Sequence, residues 1–88
     1  MIRLHPKALL EEVDNEGFAL HMDSGVYYEL NSTGYRILRD LLDGASVDDV
    51  VANISTAYDV ARAQVSKDVD QLLADLRRYE LIAQTEDI

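Results

Sequence analysis

Side chains that ionise, ligate or attack are the first place to look for chemistry, and this 88-residue chain offers few of them in useful spacing. The segment "HMD" sets His21 and Asp23 two residues apart, on one side of a strand, which is the beginning of a metal site. A structural zinc site takes four ligands and a catalytic one three plus water. The other histidine, His5, lies in the N-terminal segment, so the pair reads as part of a solvated strand face. Adjacent carboxylates occur at Glu11–Glu12 and Asp48–Asp49, the residue types of general acid–base catalysis. The first pair belongs to a strand surface and the second to a helix start, where charge is expected without catalysis. Cysteine is absent, which removes disulfides, thiolate ligands and a cysteine nucleophile. There is no G-x-S-x-G, no H-E-x-x-H and no glycine-rich phosphate loop. The chain reads as a protein without a catalytic centre, metal or cofactor.

The elements that would position these residues fall into two halves. "ALLEEVD" alternates weakly, with Leu9, Glu11 and Val13 on one face and Leu10 and Glu12 on the other. "NEG", residues 15 to 17, is a turn signal. "FALHMD" then sets Phe18, Leu20 and Met22 against Ala19, His21 and Asp23, and after "DSG" the run "VYYELN" sets Val26, Tyr28 and Leu30 against Tyr27, Glu29 and Asn31. Two tight turns joining three short strands make an antiparallel meander, one face of which needs cover. The rest is helical. Ser32 or Thr33 can cap a helix carrying Ile37, Leu38, Leu41 and Leu42, which Asp43–Gly44 stops. Ser46 and Asp49 resemble a capping box ahead of Val47, Val50, Val51 and Ile54. A third helix runs from about Ala61 to Tyr79, with Val65, Val69, Leu72, Leu73 and Leu76 inside an arc of roughly 80°. Leu81 and Ile82 close the core, and residues 84–88 read as a frayed tail. The expectation is one α+β domain over residues 1–88, core about 9–83, in which a three-stranded meander is followed by three helices as in a winged helix-turn-helix.

Charge narrows the partners. The net charge is −9, a repulsive field for nucleic acid unless a basic patch overrides it. From Val60 to Ile82 the basic residues Arg62, Lys67, Arg77 and Arg78 are matched by Asp68, Asp70, Asp75 and Glu80, leaving no stripe to track phosphates. A small winged-helix DNA-binding regulator is therefore the competing reading, with the acidic third helix against it. No apolar run approaches the ~20 residues of a membrane span, and "MIRLHPKALLEE" lacks a signal-peptide core. A soluble cytoplasmic protein, with neither nucleic acid nor membrane as partner, is expected. The adjacent tyrosines remain. Tyr28 can pack beneath the helices and Tyr27 can be a surface strand residue. Alternatively, if "VYYEL" is an open edge beside the third helix, its unpaired backbone groups can take an extended peptide as a fourth strand.

"FALHMDSGVYYELNSTGYRILRDLLDG", a capped helix, and "AQVSKDVDQLLADLRRYELI" together resemble a PqqD-like precursor-peptide recognition element, over roughly residues 9 to 83. "YYELN" leading into "GYRILRDLLDG", with "DV" and "LLADLRRYELI" downstream, carries the resemblance through order and spacing. The resemblance implies three antiparallel strands and three helices, and a non-catalytic protein that binds the leader of a ribosomally made precursor between third strand and third helix. Carried onto this chain, the edge is Val26, Tyr27, Tyr28, Glu29 and Leu30, and the helical wall is Val65, Asp68, Val69, Leu72, Leu73 and Leu76. "SGVYYELN" in so short a chain looks most like the stand-alone partner proteins of lasso peptide biosynthesis. These work with a leader-cleaving cysteine protease ahead of a cyclase. The alternative within the family is a peptide chaperone for a radical S-adenosylmethionine enzyme. His21 departs from the acidic or small polar residue expected in relatives, which bears on the subfamily.

Overall fold

The computed structural model describes residues 2–84. In chain order its elements are β1 (Ile2–Leu4), β2 (Ala8–Val13), β3 (Glu16–His21), β4 (Tyr27–Leu30), α1 (Ser32–Leu42), α2 (Val47–Tyr58), α3 (Arg62–Arg78) and β5 (Ile82–Gln84). Strands β2, β3 and β4 form the antiparallel meander, in that spatial order, and the three helices follow it. This is the expected α+β architecture.

The first turn is tighter than "NEG" suggests. Val13 pairs with Glu16, and only Asp14 and Asn15 lie between them, with φ of 52° and 67°. Two consecutive left-handed residues are what a two-residue hairpin turn of the right twist requires. Short polar side chains tolerate that conformation. Gly17 is thereby released from the turn and sits inside β3, where a Cβ would overlap the Tyr35 ring of α1, 2.9 Å from its Cε1 and 3.0 Å from its Cγ.

That close approach decides which face of the sheet is covered. The register sets Gly17 opposite Leu30 and Ala19 opposite Tyr28. Gly17, Ala19 and His21 point at the helices, while the larger Phe18 and Leu20 point away. Two sequence readings are corrected here. The alternating apolar residues of the second meander strand lie on the uncovered face, because only small side chains let α1 pack this near the sheet. His21 is not on a solvated face but only 5% exposed. Its Nδ1 accepts from the backbone N–H groups of Asp23 and Ser24, each at 3.2 Å, and its ring lies 4.9 Å from that of His5. Those bonds satisfy one ring nitrogen on the β3–β4 turn; Nε2 is buried without a partner.

The helices follow their local signals closely. Asn31, one residue before the expected caps, accepts from the N–H of Gly34 at 2.8 Å and starts α1. Ser46 accepts from the N–H of Asp49 at 3.0 Å and starts α2. Each satisfies a backbone donor the helix cannot. Helix α1 ends at Leu42, and Gly44 follows with a φ of 103° that a side chain would resist. Ile37, Leu38 and Leu41 of α1, Val50, Val51 and Ile54 of α2, and Val65, Val69, Leu73 and Leu76 of α3 meet in one core with Ala19, Leu30, Leu81 and Ile82.

A second, two-stranded sheet joins the ends of the described chain: Ile2 pairs with Gln84, Arg3 with Ala83 and Leu4 with Ile82. Ile2 is buried there. Gln84, grouped in the sequence with the tail, is thus a strand residue; residues 85–88 lie outside the described residues. The molecule measures 38 × 38 × 19 Å, the thin dimension being one sheet and one helical layer.

Candidate functional site

β4 is one of the two edge strands of the meander, and the one beside α3. The N–H of His21 donates to the carbonyl of Val26 at 2.9 Å. In an antiparallel pair, hydrogen-bonded and non-bonded residue pairs alternate. Following the register from His21–Val26, Tyr28 and Leu30 turn their backbone groups toward β3. Tyr27 and Glu29 turn theirs to the open side. A short row of donors and acceptors therefore faces α3 across a groove of about 450 Å³.

Tyr28, Glu29, Leu30 and Asn31 form one wall of the groove, Asp68, Gln71, Leu72 and Asp75 of α3 the other, and Thr33, Gly34 and Ile37 of α1 complete the lining. Of the residues carried over from the sequence, Tyr28, Glu29, Leu30, Asp68 and Leu72 come together here. Val65, Val69, Leu73 and Leu76 are at most 5% exposed and lie in the core behind the wall. Val26 is half-buried just before β4, and Tyr27, 55% exposed, stands on the opposite face of the sheet.

Polar bonds set the shape of the wall. The Tyr28 hydroxyl donates to Asp75 Oδ2 at 3.1 Å, and Gln71 Nε2 donates to Asp75 Oδ1 at 3.1 Å. Gln64 Nε2 donates to Asp68 Oδ1 at 2.9 Å. Burial raises the Tyr28 pKa above the ordinary 10.0, helped by the hydrogen bond to Asp75 and that residue's negative charge. The hydroxyl thus stays a donor through the neutral range. Among the described residues no basic side chain lines the groove.

Asn31, Thr33, Gly34, Ile37, Gln71 and Asp75 line the groove as well, though none of them stands among the site residues expected from the sequence. A signal for two of them existed: Asp68, Gln71, Leu72 and Asp75 stand at i, i+3, i+4 and i+7, one stripe of a helix. Following only the apolar positions leads past that stripe into the core. Among the described residues no group of three His, Asp or Glu side chains is arranged to hold a metal ion, and no helix is long and apolar enough to cross a membrane.

No curated protein sequence matches the chain. Two solved structures are similar to it over nearly its whole length. The structure of TbiB1 in complex with the TbiA(beta) leader peptide superposes with a TM-score of 0.84 at 28% identity, covering 97% of this chain and 99% of that one. That of lasso peptide synthetase B1 complexed with the leader peptide gives 0.87 at 30% identity, covering 94% and 98%. Residues 16–82, from the first residue of β3 to the first of β5, match the family model for coenzyme PQQ synthesis protein D. The chain belongs to the PqqD family.

Proposed function

We propose that this protein binds the leader segment of a ribosomally synthesised precursor peptide and presents it to maturation enzymes, without chemistry of its own. The leader adds to β4 as a fourth strand and lies against α3. Main-chain bonds to the open edge supply affinity that is tolerant of sequence, while alternate side chains entering the groove supply selectivity. The observation that carries this reading is the conjunction of a strand edge, β4, with a groove of about 450 Å³ between it and α3. Support comes from the two similar structures, both of which hold a leader peptide. Lasso peptide maturation is the proposed setting, with a leader-cleaving cysteine protease and a cyclase as downstream partners.

Fluorescence anisotropy with a labelled leader, from the precursor encoded beside this protein, tests the proposal. Saturable binding that persists in moderate salt and is lost on single leader substitutions is expected. Absence of binding by a protein shown to be folded would remove leader recognition.

A further inference from the structure

The central strand of the meander turns its larger apolar side chains, Phe18 and Leu20, outward. Across the three strands the register aligns Leu9, Leu20 and Tyr27 in one outward row and Glu11, Phe18 and Glu29 in the next, with Val13 and Glu16 at the hairpin end. Leu9 is 40% exposed and Val13 58%. Phe18 stacks on Tyr27 with ring centroids 5.0 Å apart at 25°. In a molecule 19 Å thick, this face has no covering layer among the described residues. Contiguous exposed apolar surface with a polar rim is the kind of surface that protein partners use.

The face is also shaped. Beside the Phe18–Tyr27 stack lies a hollow of about 340 Å³, lined further by Val13, Asp14, Glu16 and Glu29. All three charged residues in that lining are acidic. A π-face beside several carboxylates is the chemistry that receives an ammonium or guanidinium group.

We infer that the outer face of the meander docks a protein partner that presents an arginine or lysine from within an apolar patch. The cation enters the hollow against Phe18 and Tyr27, and Leu9, Val13 and Leu20 cover the surrounding apolar surface. A second copy of this chain is a poor occupant, since face-to-face pairing would set acidic rows against each other in a molecule of net charge −9. Nucleic acid is excluded by the same sign of charge. The proposal rests on the reading that a leader is delivered to maturation enzymes. It gives β4 two jobs by simple alternation, with the side chains of Tyr28 and Leu30 toward the leader groove and those of Tyr27 and Glu29 toward the partner, while the backbone groups of Tyr27 and Glu29 stay on the leader's edge.

The test measures two affinities on the same proteins. The proposed partners, a leader-cleaving cysteine protease and a cyclase of lasso peptide maturation, are each purified and titrated, by biolayer interferometry, against the wild type, Glu16→Lys and Phe18→Ala. Labelled leader is titrated against all three. Neither substituted residue's side chain belongs to the groove, and Glu16 is exposed next to the hairpin turn. Expected is binding of one enzyme to the wild type that weakens as salt rises and falls at least tenfold in Glu16→Lys, with leader affinity within twofold of wild type. Phe18→Ala is expected to do the same without changing charge; should it fail to fold, Glu16→Lys decides alone. Binding of neither enzyme, enzyme binding unchanged in Glu16→Lys, or a matching loss of leader affinity would each overturn the proposal. Failure of the leader itself to bind the wild type would instead strike the peptide-recognition reading, because enzyme binding is also measured without leader.

Discussion

Tyr28 and Asp75 hold the strand edge to the long helix through one side-chain hydrogen bond of 3.1 Å. Tyr28→Phe keeps the ring against Tyr79, 6.1 Å away between centroids, and removes only the donor. At pH 8 a loss of about 1 kcal/mol in unfolding free energy is expected, the usual net worth of such a bond. The pH dependence is more diagnostic. The folded-state pKa of Tyr28 is raised above the ordinary 10.0, first by burial and then by Asp75. A group with a raised folded pKa stabilises the fold fully below its unfolded pKa, and that contribution is lost as pH rises through the folded value. Above pH 10 the wild type should therefore lose stability more steeply than Tyr28→Phe, read as urea midpoints at matched pH. Parallel decline in both proteins would show that this hydroxyl carries none of the alkaline slope. The neighbouring Tyr27 is placed differently; its ring lies on Phe18 at the far side of the sheet. Two identical residues side by side thus serve opposite faces, and their types alone give no hint of which is which.

At the scale of elements, the contact of α1 with β3 depends on a single small residue, Gly17. Gly17→Ala would place a Cβ into the Tyr35 ring, and the contact includes Cγ, the ring's base, so the ring cannot simply swing its tip aside. Overpacking of this kind costs about 1–3 kcal/mol. Chemical denaturation should show that loss, and adding Tyr35→Ala should make the glycine substitution nearly neutral, a coupling that only touching residues show. A change at a helix end behaves differently: Ser46→Ala removes the α2 cap and should cost about 1 kcal/mol, with leader affinity unchanged because Ser46 is not among the residues that line the groove. These contrasts also explain how much of the fold was legible in the sequence. Helices were readable because their signals are local, as with Ser46, the Asp43–Gly44 stop and the 3.6-residue spacing from Val65 to Leu76. The covered face of the meander was not, because Gly17 and Ala19 win the core by being small, whereas hydrophobicity points to Phe18 and Leu20. β1 and β5 are three residues each and exist only through pairing across the length of the chain, which no window of sequence contains. On α3 the apolar arc was legible, but the groove wall is the half-polar stripe beside it, from Asp68 to Asp75.

The whole molecule is a two-layer slab whose sheet stops at β4, and its proposed function depends on that stop. Strand addition makes a claim about backbone atoms that side-chain substitutions do not test. Proline does, because it deletes an N–H while leaving a residue in place. By the alternation of the ladder, the N–H of Glu29 faces the open edge and that of Tyr28 faces β3. Proline is tolerated on a strand edge whose N–H faces outward and not where the N–H belongs to the ladder. Glu29→Pro is accordingly expected to keep its circular dichroism spectrum and melt within a few degrees of Glu29→Ala, whereas Tyr28→Pro should lose the fold. Against labelled leader, Glu29→Ala should bind nearly as wild type, and Glu29→Pro at least about tenfold more weakly, or about 1.4 kcal/mol. Equal affinities for the alanine and proline variants, both folded, would mean that the leader does not pair with this edge. The groove between Leu72 and Tyr28 would then have to hold it through side chains alone. A tenfold gap confined to proline would instead locate the affinity in the one part of β4 that the rest of the fold leaves unpaired.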